Sequence, residues 1–579
     1  MSYDTVLELV GEFGRYQKRS LFLVTLLCCP HGIQVLLTVF TMASTDFRCA
    51  VPGLENDTYE IQNEFHQRLI NESIPFNERE GKYAECDVYA AWNVSGVSSP
   101  PSATGNDRLV TECTSWVYSQ EIFTSTYVTQ LNLVCGRQIL STHVNMLGMA
   151  GLMFGSVVGG LMGDRFGRKA AMLVFIFLHA IGGFCLALVT SVVHLLILRF
   201  LECAVGFAFF MIGFTWCMEL LGPAKRAMAG MLTMVGWVIG MFLITLMAYF
   251  VRDWWTLQLI MSSPTILFLS YYWLIPESPR WLLSKGRVEE AGKIIFNMAV
   301  ANGAASSLDK EQISSLCEHS VASEAETTDL SQAGSSNVRR IFKSRVMVMR
   351  LLILCLNWAV CSMVYYGLTL NVGAIIEGDL FMNFLIVTCM ELAAYILCIV
   401  ALDWAGRKLL YCSCLLLSGC ACLATAVPFL IGTDVVWVNV VLSNVGKFGV
   451  TVCFAVVYVF TVEVLPTVVR NSGLGGCSFM GRIGSIISPF IANFNFIIGG
   501  KLGKVLPLLI FGGSAVIAGF LSLLLPETKG KRLPGTIEEA ETFDHDPCLC
   551  LALVGQGGDE DRVNEFGFGL SGDVGMFEE

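Results

Sequence analysis

Gly163-Asp164-Arg165-Phe166-Gly167-Arg168-Lys169 is a charged knot between two long apolar runs, and it returns as Asp403-Trp404-Ala405-Gly406-Arg407-Lys408. A second junction, Glu219-Leu220-Leu221-Gly222-Pro223-Ala224-Lys225-Arg226, is answered by Glu463-Val464-Leu465-Pro466-Thr467-Val468-Val469-Arg470. A third, Pro276-Glu277-Ser278-Pro279-Arg280, is answered by Pro526-Glu527-Thr528-Lys529. The offsets are 239 (164 to 403), 244 (219 to 463) and 250 (276 to 526) positions. Three charged junctions in one order at nearly constant offset predict two copies of one unit laid head to tail. In a membrane protein such copies are parallel halves related by an axis along the membrane normal.

Composition agrees with a membrane class. Of 579 residues 54% are hydrophobic and 15% charged, the mean hydropathy is +0.63, and the charges gather in islands between apolar runs. Runs of about 20 apolar residues are long enough to cross a bilayer as helices. The net charge of −11 is carried largely by loops and the C-terminal tail, where it solvates the chain.

The expected order is a cytoplasmic polar arm over 1–20, a first span over 21–43, an extracellular loop over 44–137, the rest of a six-helix half over 138–282, a cytoplasmic central loop over 283–346, a second six-helix half over 347–526 and an acidic cytoplasmic tail over 527–579. Arg15, Lys18 and Arg19 beside the first span, and Arg165, Arg168 and Lys169 in the next inner loop, hold both termini inside. Loop 44–137 carries sequons at Asn56, Asn71 and Asn93 together with Cys49, Cys86, Cys113 and Cys135. Three sequons with an even cysteine count read as a glycosylated, disulfide-tied ectodomain, and the pairing is open among three arrangements. Apolar runs follow at 138–162, 171–190, 193–217, 228–250 and 256–275, then at 347–369, 381–402, 409–431, 435–460, 473–498 and 505–525. The expected fold class is therefore an all-α membrane protein of twelve transmembrane helices in two halves.

Enzyme signatures fail. Gly446-Lys447 is followed by Phe448, so no phosphate-binding loop is present, and neither His-Glu-x-x-His nor Cys-x-x-Cys occurs. No metal or cofactor is expected. Ionisable residues inside spans remain, and each central Arg, Lys or Asp costs roughly 2.5 to 3.5 kcal/mol on insertion scales. Arg199 and Glu202, three apart on one helical face, are expected to pair with each other. In the second half stand Glu391, Lys447 and Arg482, with Trp358, Tyr365 and Tyr366 on the seventh run and Tyr458 on the tenth. Two readings are open for them. They pair internally, Glu391 with Lys447 or Arg482, or they face a cavity that holds a solute by cation–π, carboxylate and guanidinium contacts. At the cytoplasmic ends Asp164, Arg168, Glu219 and Arg226, with Asp403, Arg407, Glu463 and Arg470, are expected to pair across the closed inner faces of the halves as a gate.

The knot at Gly163 to Lys169 resembles the loop motif of the major facilitator superfamily. Arg252-Asp253-Trp254, Ile275-Pro276-Glu277-Ser278-Pro279-Arg280-Trp281-Leu282, Gly446-Lys447-Phe448-Gly449 and Glu463 to Asn471, with the long first loop, narrow it to a resemblance to the organic cation, carnitine and organic anion transporter family, from Tyr3 to about Glu538. That resemblance implies a central substrate cavity and alternating access at the plasma membrane. Arg482 is similar to the arginine of the carnitine and organic anion branches, and Glu391 resembles the carboxylate of the cation and carnitine branches. Phe210, Trp358 and Tyr365 fall on positions that look like the family's aromatic cage. The resemblance implies a carrier of small zwitterions or cations such as carnitine or related quaternary amines. An organic anion carrier and a non-transporting receptor or scaffold are the alternatives. The expected partners are a small organic ion and membrane lipid, with no nucleic acid. A coupling ion, Na⁺ or H⁺, and the oligomeric state are not legible.

Overall fold

The computed structural model describes residues 3–541 except 78–80, 90–108, 305–310, 314, 319–342, 376–377, 432–435, 467–468, 495–497, 499, 532–533 and 535–536. Asn93 lies outside the described residues, as does the side chain of Asp403. Among the described residues eleven helices are long and apolar enough to cross a membrane. After a short helix α1 (Tyr3–Val10), the N-terminal half contains α2 (Arg15–Leu36), α3 (Ile139–Phe166), α4 (Arg168–Ala187), α5 (Val192–Glu219) and α6 (Pro223–Phe250). Its sixth run is broken into α7 (Trp254–Ser262), a 3-10 turn (Ser263–Ser270) and a last helical turn (Tyr271–Leu274). Pro264 enters the 3-10 turn near its start, and a proline has no amide to donate to the helical ladder.

After the sixth run, α8 (Pro279–Ser284) and α9 (Val288–Asn302) lead toward the second half. That half comprises α10 (Arg345–Leu370), α11 (Leu380–Ala405), α12 (Arg407–Ile431), α13 (Val436–Val464), α14 (Arg470–Ala492) and α15 (Gly500–Ser522). Capping side chains fix several starts. Ser191 accepts from the His194 amide, Asp253 from Thr256, Ser344 from Met347 and Asp379 from Phe381. One buried apolar core runs through both halves.

Small residues let the helices close up. Gly155 and Gly159 of α3 lie directly against Ala204 and Ala208 of α5, and Gly236 and Gly240 of α6 lie against the Thr25 and Cys29 carbonyls of α2.

The arm before α2 differs from the expected polar segment. Tyr3, Val6, Leu7 and Val10 are one buried face of α1, seated on the inner end of the N-terminal half. The Tyr3 hydroxyl donates to the Glu219 carbonyl at 3.1 Å, and Asp4 pairs with Arg226 at 2.6 Å. Asn302, the last residue of α9, donates to the Val10 carbonyl and accepts from the Tyr16 amide, each at 3.1 Å.

Loop 44–137 contains three two-stranded antiparallel ribbons and a helix, Glu64–Ser73. Disulfides join Cys49 to Cys113 and Cys86 to Cys135, choosing one of the three arrangements. Asn56 and Asn71 are exposed. Asp57, inside the first sequon, is buried against Arg48 at 2.5 Å and His66 at 2.9 Å. Burial pushes this carboxyl up, but hydrogen bonds from Arg48, the Val51 amide and His66 outweigh it and hold Asp57 below the usual carboxylate range.

Candidate functional site

The three repeated junctions meet at one end of each half. Between α3 and α4 the chain turns at Gly167, φ 99°, and between α11 and α12 at Gly406, φ 84°, a left-handed region that glycine enters without a Cβ clash. The next residue, Arg168 or Arg407, opens a helix and carries the clamp. Arg168 reaches Glu219 at 2.8 Å and Asp164 at 2.5 Å, while Arg407 reaches Glu463 at 3.1 Å. The third junction caps the same helices. Glu277 accepts from the Arg168 and Lys169 amides at 2.8 and 3.1 Å, and Glu527 accepts from those of Arg407 and Lys408, both at 3.1 Å. A carboxylate at these unsatisfied amides complements the positive end of the helix dipole.

These described pairs lie within one half rather than across the two, unlike the gate expected from sequence. Arg226 donates to the Met218 and Leu221 carbonyls besides pairing with Asp4, and Arg470 donates to the Leu465 carbonyl. Glu219 and Arg226, like Glu463 and Arg470, share a junction without pairing: the intervening turn points each to a different neighbour. Contact between the halves at the ends away from these clamps is aromatic. Phe381 of α11 stacks on Phe40 at 5.5 Å and lies beside Phe123 and Tyr249, with the Arg252 guanidinium 4.6 Å from its ring centre.

Midway through the bundle the two halves face each other across rings. The N-terminal half offers Phe207, Phe210 and Phe214 of α5, His31 of α2 and Trp237 of α6; His31 stacks on Phe210 at 5.2 Å and lies 5.7 Å from Trp237. The C-terminal half offers Trp358 against Tyr458 at 4.3 Å, and Tyr365 stacked on Phe454 at 5.1 Å. Arg482 of α14 crosses between them. Its guanidinium carbon stands 4.2 Å from the Phe207 ring centre, beside Tyr366 and Tyr458. Among the described residues no carboxylate pairs with it. Tyr458 keeps 38% of its surface accessible.

Glu391 and Lys447 form a separate, closed network. Lys447 Nζ is 3.2 Å from Glu391 Oε2, donates to Thr369 at 2.6 Å and lies 3.3 Å from the Tyr365 ring centre. The hydroxyls of Tyr365 and Tyr395 both donate to Glu391 Oε1. Both charged side chains are about 1% exposed or less. Of the two readings open for Glu391, internal pairing with Lys447 is the arrangement present, and Arg482 is left as the cation facing the rings.

Arg199 and Glu202 do not pair as expected. Arg199 donates to the Gln34 and Val35 carbonyls of α2 at 2.6 and 2.8 Å, and Glu202 turns to His179 of α4 at 2.9 Å. Three residues on one helix put the two side chains on one face, but the long guanidinium reaches the end of α2, where carbonyls lack intrahelical donors. Phe207, His31 and Trp237 escaped the sequence reading because single aromatics in an apolar run carry no period of their own. The Pro30-His31-Gly32 string inside α2 is the signal that marks one of them.

The sugar (and other) transporter family model matches residues 102–539. The chain is similar to the proton:xylose symporter XylE, with a TM-score of 0.57 at 17% identity over 91% of this chain and 99% of that one, which shows the major facilitator fold. It is 34% identical over 94% of its length to a Drosophila melanogaster organic cation transporter protein, 96% of which is covered. It is 31% identical to human organic cation/carnitine transporter 2, over 93% of each chain. The chain belongs to the organic cation and carnitine transporter family of the major facilitator superfamily. It is a membrane transporter and not an enzyme.

Proposed function

We propose that this protein carries small organic zwitterions or cations, carnitine and related quaternary amines among them, across the plasma membrane by alternating access. The observation that carries this reading is Arg482, a guanidinium with no described carboxylate partner, set over Phe207 among the rings of both halves. A substrate carboxylate takes the guanidinium in a charge-assisted pair, and a quaternary ammonium takes the faces of Trp358, Tyr458 and Phe210 by cation–π attraction. Glu391 and Lys447 hold α11 against α13 and shape the floor beneath Tyr365. The aromatic closure around Phe381 and the self-contained clamps at Arg168 and Arg407 are the parts that alternate between outward and inward states.

A second reading, an organic anion carrier, draws on the same geometry. Lys447 neutralises Glu391, so the charge facing the rings is positive. Uptake of labelled carnitine, tetraethylammonium and a dicarboxylate into cells expressing the chain separates the two. Carnitine and the amine are expected to accumulate; accumulation of the dicarboxylate alone overturns the first reading. Surface binding without accumulation identifies a receptor. Replacing external Na⁺ in the same assay tests for a Na⁺ coupling ion.

A further inference from the structure

His179 Nδ1 and Glu202 Oε1 stand 2.9 Å apart inside the N-terminal half, with side chains 1% and 0% exposed. Neither the two ring nitrogens nor the two carboxylate oxygens has a well-directed hydrogen bond, so this close contact is the polar company of a buried acid and a buried base. Ionisable groups in that state are costly in a membrane bundle. A structural role is better served by the directed bonds that Arg199 makes to the carbonyls of α2.

The chain makes room for the pair. Glu202 lies directly against Gly182 of α4, where any side chain would collide with its carboxylate. Gly206, one turn beyond Glu202, carries both imidazoles: a Cβ there would stand 3.2 Å from His179 Nδ1 and 3.3 Å from His31 Nδ1. The His31 Nδ1 is likewise buried without a partner, and that ring stacks on Phe210. A file of acid, base and base therefore runs from the interior of the half to the rings at the centre of the bundle.

The charged and titratable groups around this file are few. From α5 they are Arg199 and Cys203, from the short helix Tyr127–Gln130 the Tyr127 hydroxyl, and from α14 across the interface Arg482. The adjoining faces of α2, α4 and α7 contribute the uncharged Gln34, Gly183, Gln258 and Ser262. Besides Glu202 itself, the charged neighbours Arg199 and Arg482 are both guanidinium cations. Each added proton therefore adds a positive charge to a file that ends against the cage.

We infer that His179 and Glu202 form a proton-binding site, holding one proton between Nδ1 and Oε1, with the His31 ring standing between this site and the substrate rings. The proton and a cationic head group then oppose each other, and by linkage each weakens the other by the same factor. The antagonism toward substrate rests on the function proposed above; the proton site does not.

Two measurements keep these apart. The first uses no substrate: the unfolding temperature of the purified full chain in lipid nanodiscs, from about pH 5.5 to pH 8.5, for the unmodified protein, Glu202→Gln and His179→Gln. The unmodified protein is expected to show a titration step that both variants lack. Superimposable profiles overturn the proton site. Should the variants fail to fold, infrared spectra of the unmodified protein decide, because a buried carboxyl changing protonation over this range is expected and its absence at every pH overturns the site. The second measurement is tetraethylammonium affinity over the same range. A weakening of at least about fivefold toward acid pH is expected, matching the lower end of usual coupling, and both variants are expected to remove it. A titration step with pH-independent tetraethylammonium affinity overturns the link to the cage and leaves the proton site standing. A titration step with no binding of tetraethylammonium or carnitine at any pH counts against the proposed substrate class instead.

Discussion

The Arg482 guanidinium carbon lies 4.2 Å from the centre of the Phe207 ring, so a cation of the C-terminal half rests on an aromatic face of the N-terminal half. A cation–π contact of this kind is worth about 0.5 to 2 kcal/mol, less than a charge-assisted carboxylate pair at roughly 1.5 to 3 kcal/mol. An arriving carboxylate can compete for the guanidinium. Arg482→Ala is therefore expected to weaken carnitine about ten- to a hundredfold, while tetraethylammonium, which lacks the carboxylate, binds as well or better. Arg482→Lys keeps the charge without the planar fork and is expected to fall between. Affinities normalised to surface level check this, and equal losses for both solutes contradict it.

The Glu391 and Lys447 pair makes a different prediction. Removing one member strands the other in the core at about 3 to 5 kcal/mol, so Glu391→Gln and Lys447→Met should each cut surface expression sharply. The double variant should recover much of it. Surface biotinylation with thermal unfolding of the three proteins measures this; a double variant no better than either single one would give Glu391 a role beyond pairing.

Glu277 and Glu527 predict a matched effect in the two halves. Glu277→Gln or Glu527→Gln takes the anion off two helix amides, a capping loss of about 1 kcal/mol each. Maximal uptake should fall with little change in half-saturating substrate, since neither residue touches the rings. Because the caps belong to separate halves, their unfolding effects should add. Initial-rate uptake and unfolding curves for both single variants and the double variant test this.

The disulfide-tied loop 44–137 should be acid-labile through Asp57. Its folded-state carboxyl sits below an unfolded value of about 3.9, so the stabilisation is complete above that value and is lost as pH falls through the lower folded value. Proteolytic resistance of loop 44–137 should therefore drop below about pH 4. Asp57→Asn, which keeps the Asn56 sequon, should lower resistance at neutral pH and remove this acid step.

Repetition made most of the fold legible. Each run between the knots overlaps a helix, with ends displaced by up to about six residues, because an apolar stretch in a bilayer has few alternatives to a helix. The broken run at α7 was hidden because Pro264 sits within apolar residues that scan as one span. The α1 face was hidden because Tyr3, Val6, Leu7 and Val10 make too short a pattern to separate from a charged arm. At the site, charges in apolar runs announced Glu391, Lys447 and Arg482, but pairing depends on which helices adjoin. Arg199 beside Glu202 shows the difficulty: one helical face brought them together, and the neighbouring helices α2 and α4 drew them apart.

The clamps around Arg168 and Arg407 bear on how the chain could be divided. Each draws its described ionic partners and its capping glutamate from its own half, so a cut in the segment between Asn302 and Arg345 severs none of those bonds. The linkage between halves then serves delivery more than architecture, bringing both pieces to the same bilayer in equal number. Two separately encoded polypeptides, made together in one cell, should find each other through the apolar seam and behave as a carrier in two parts.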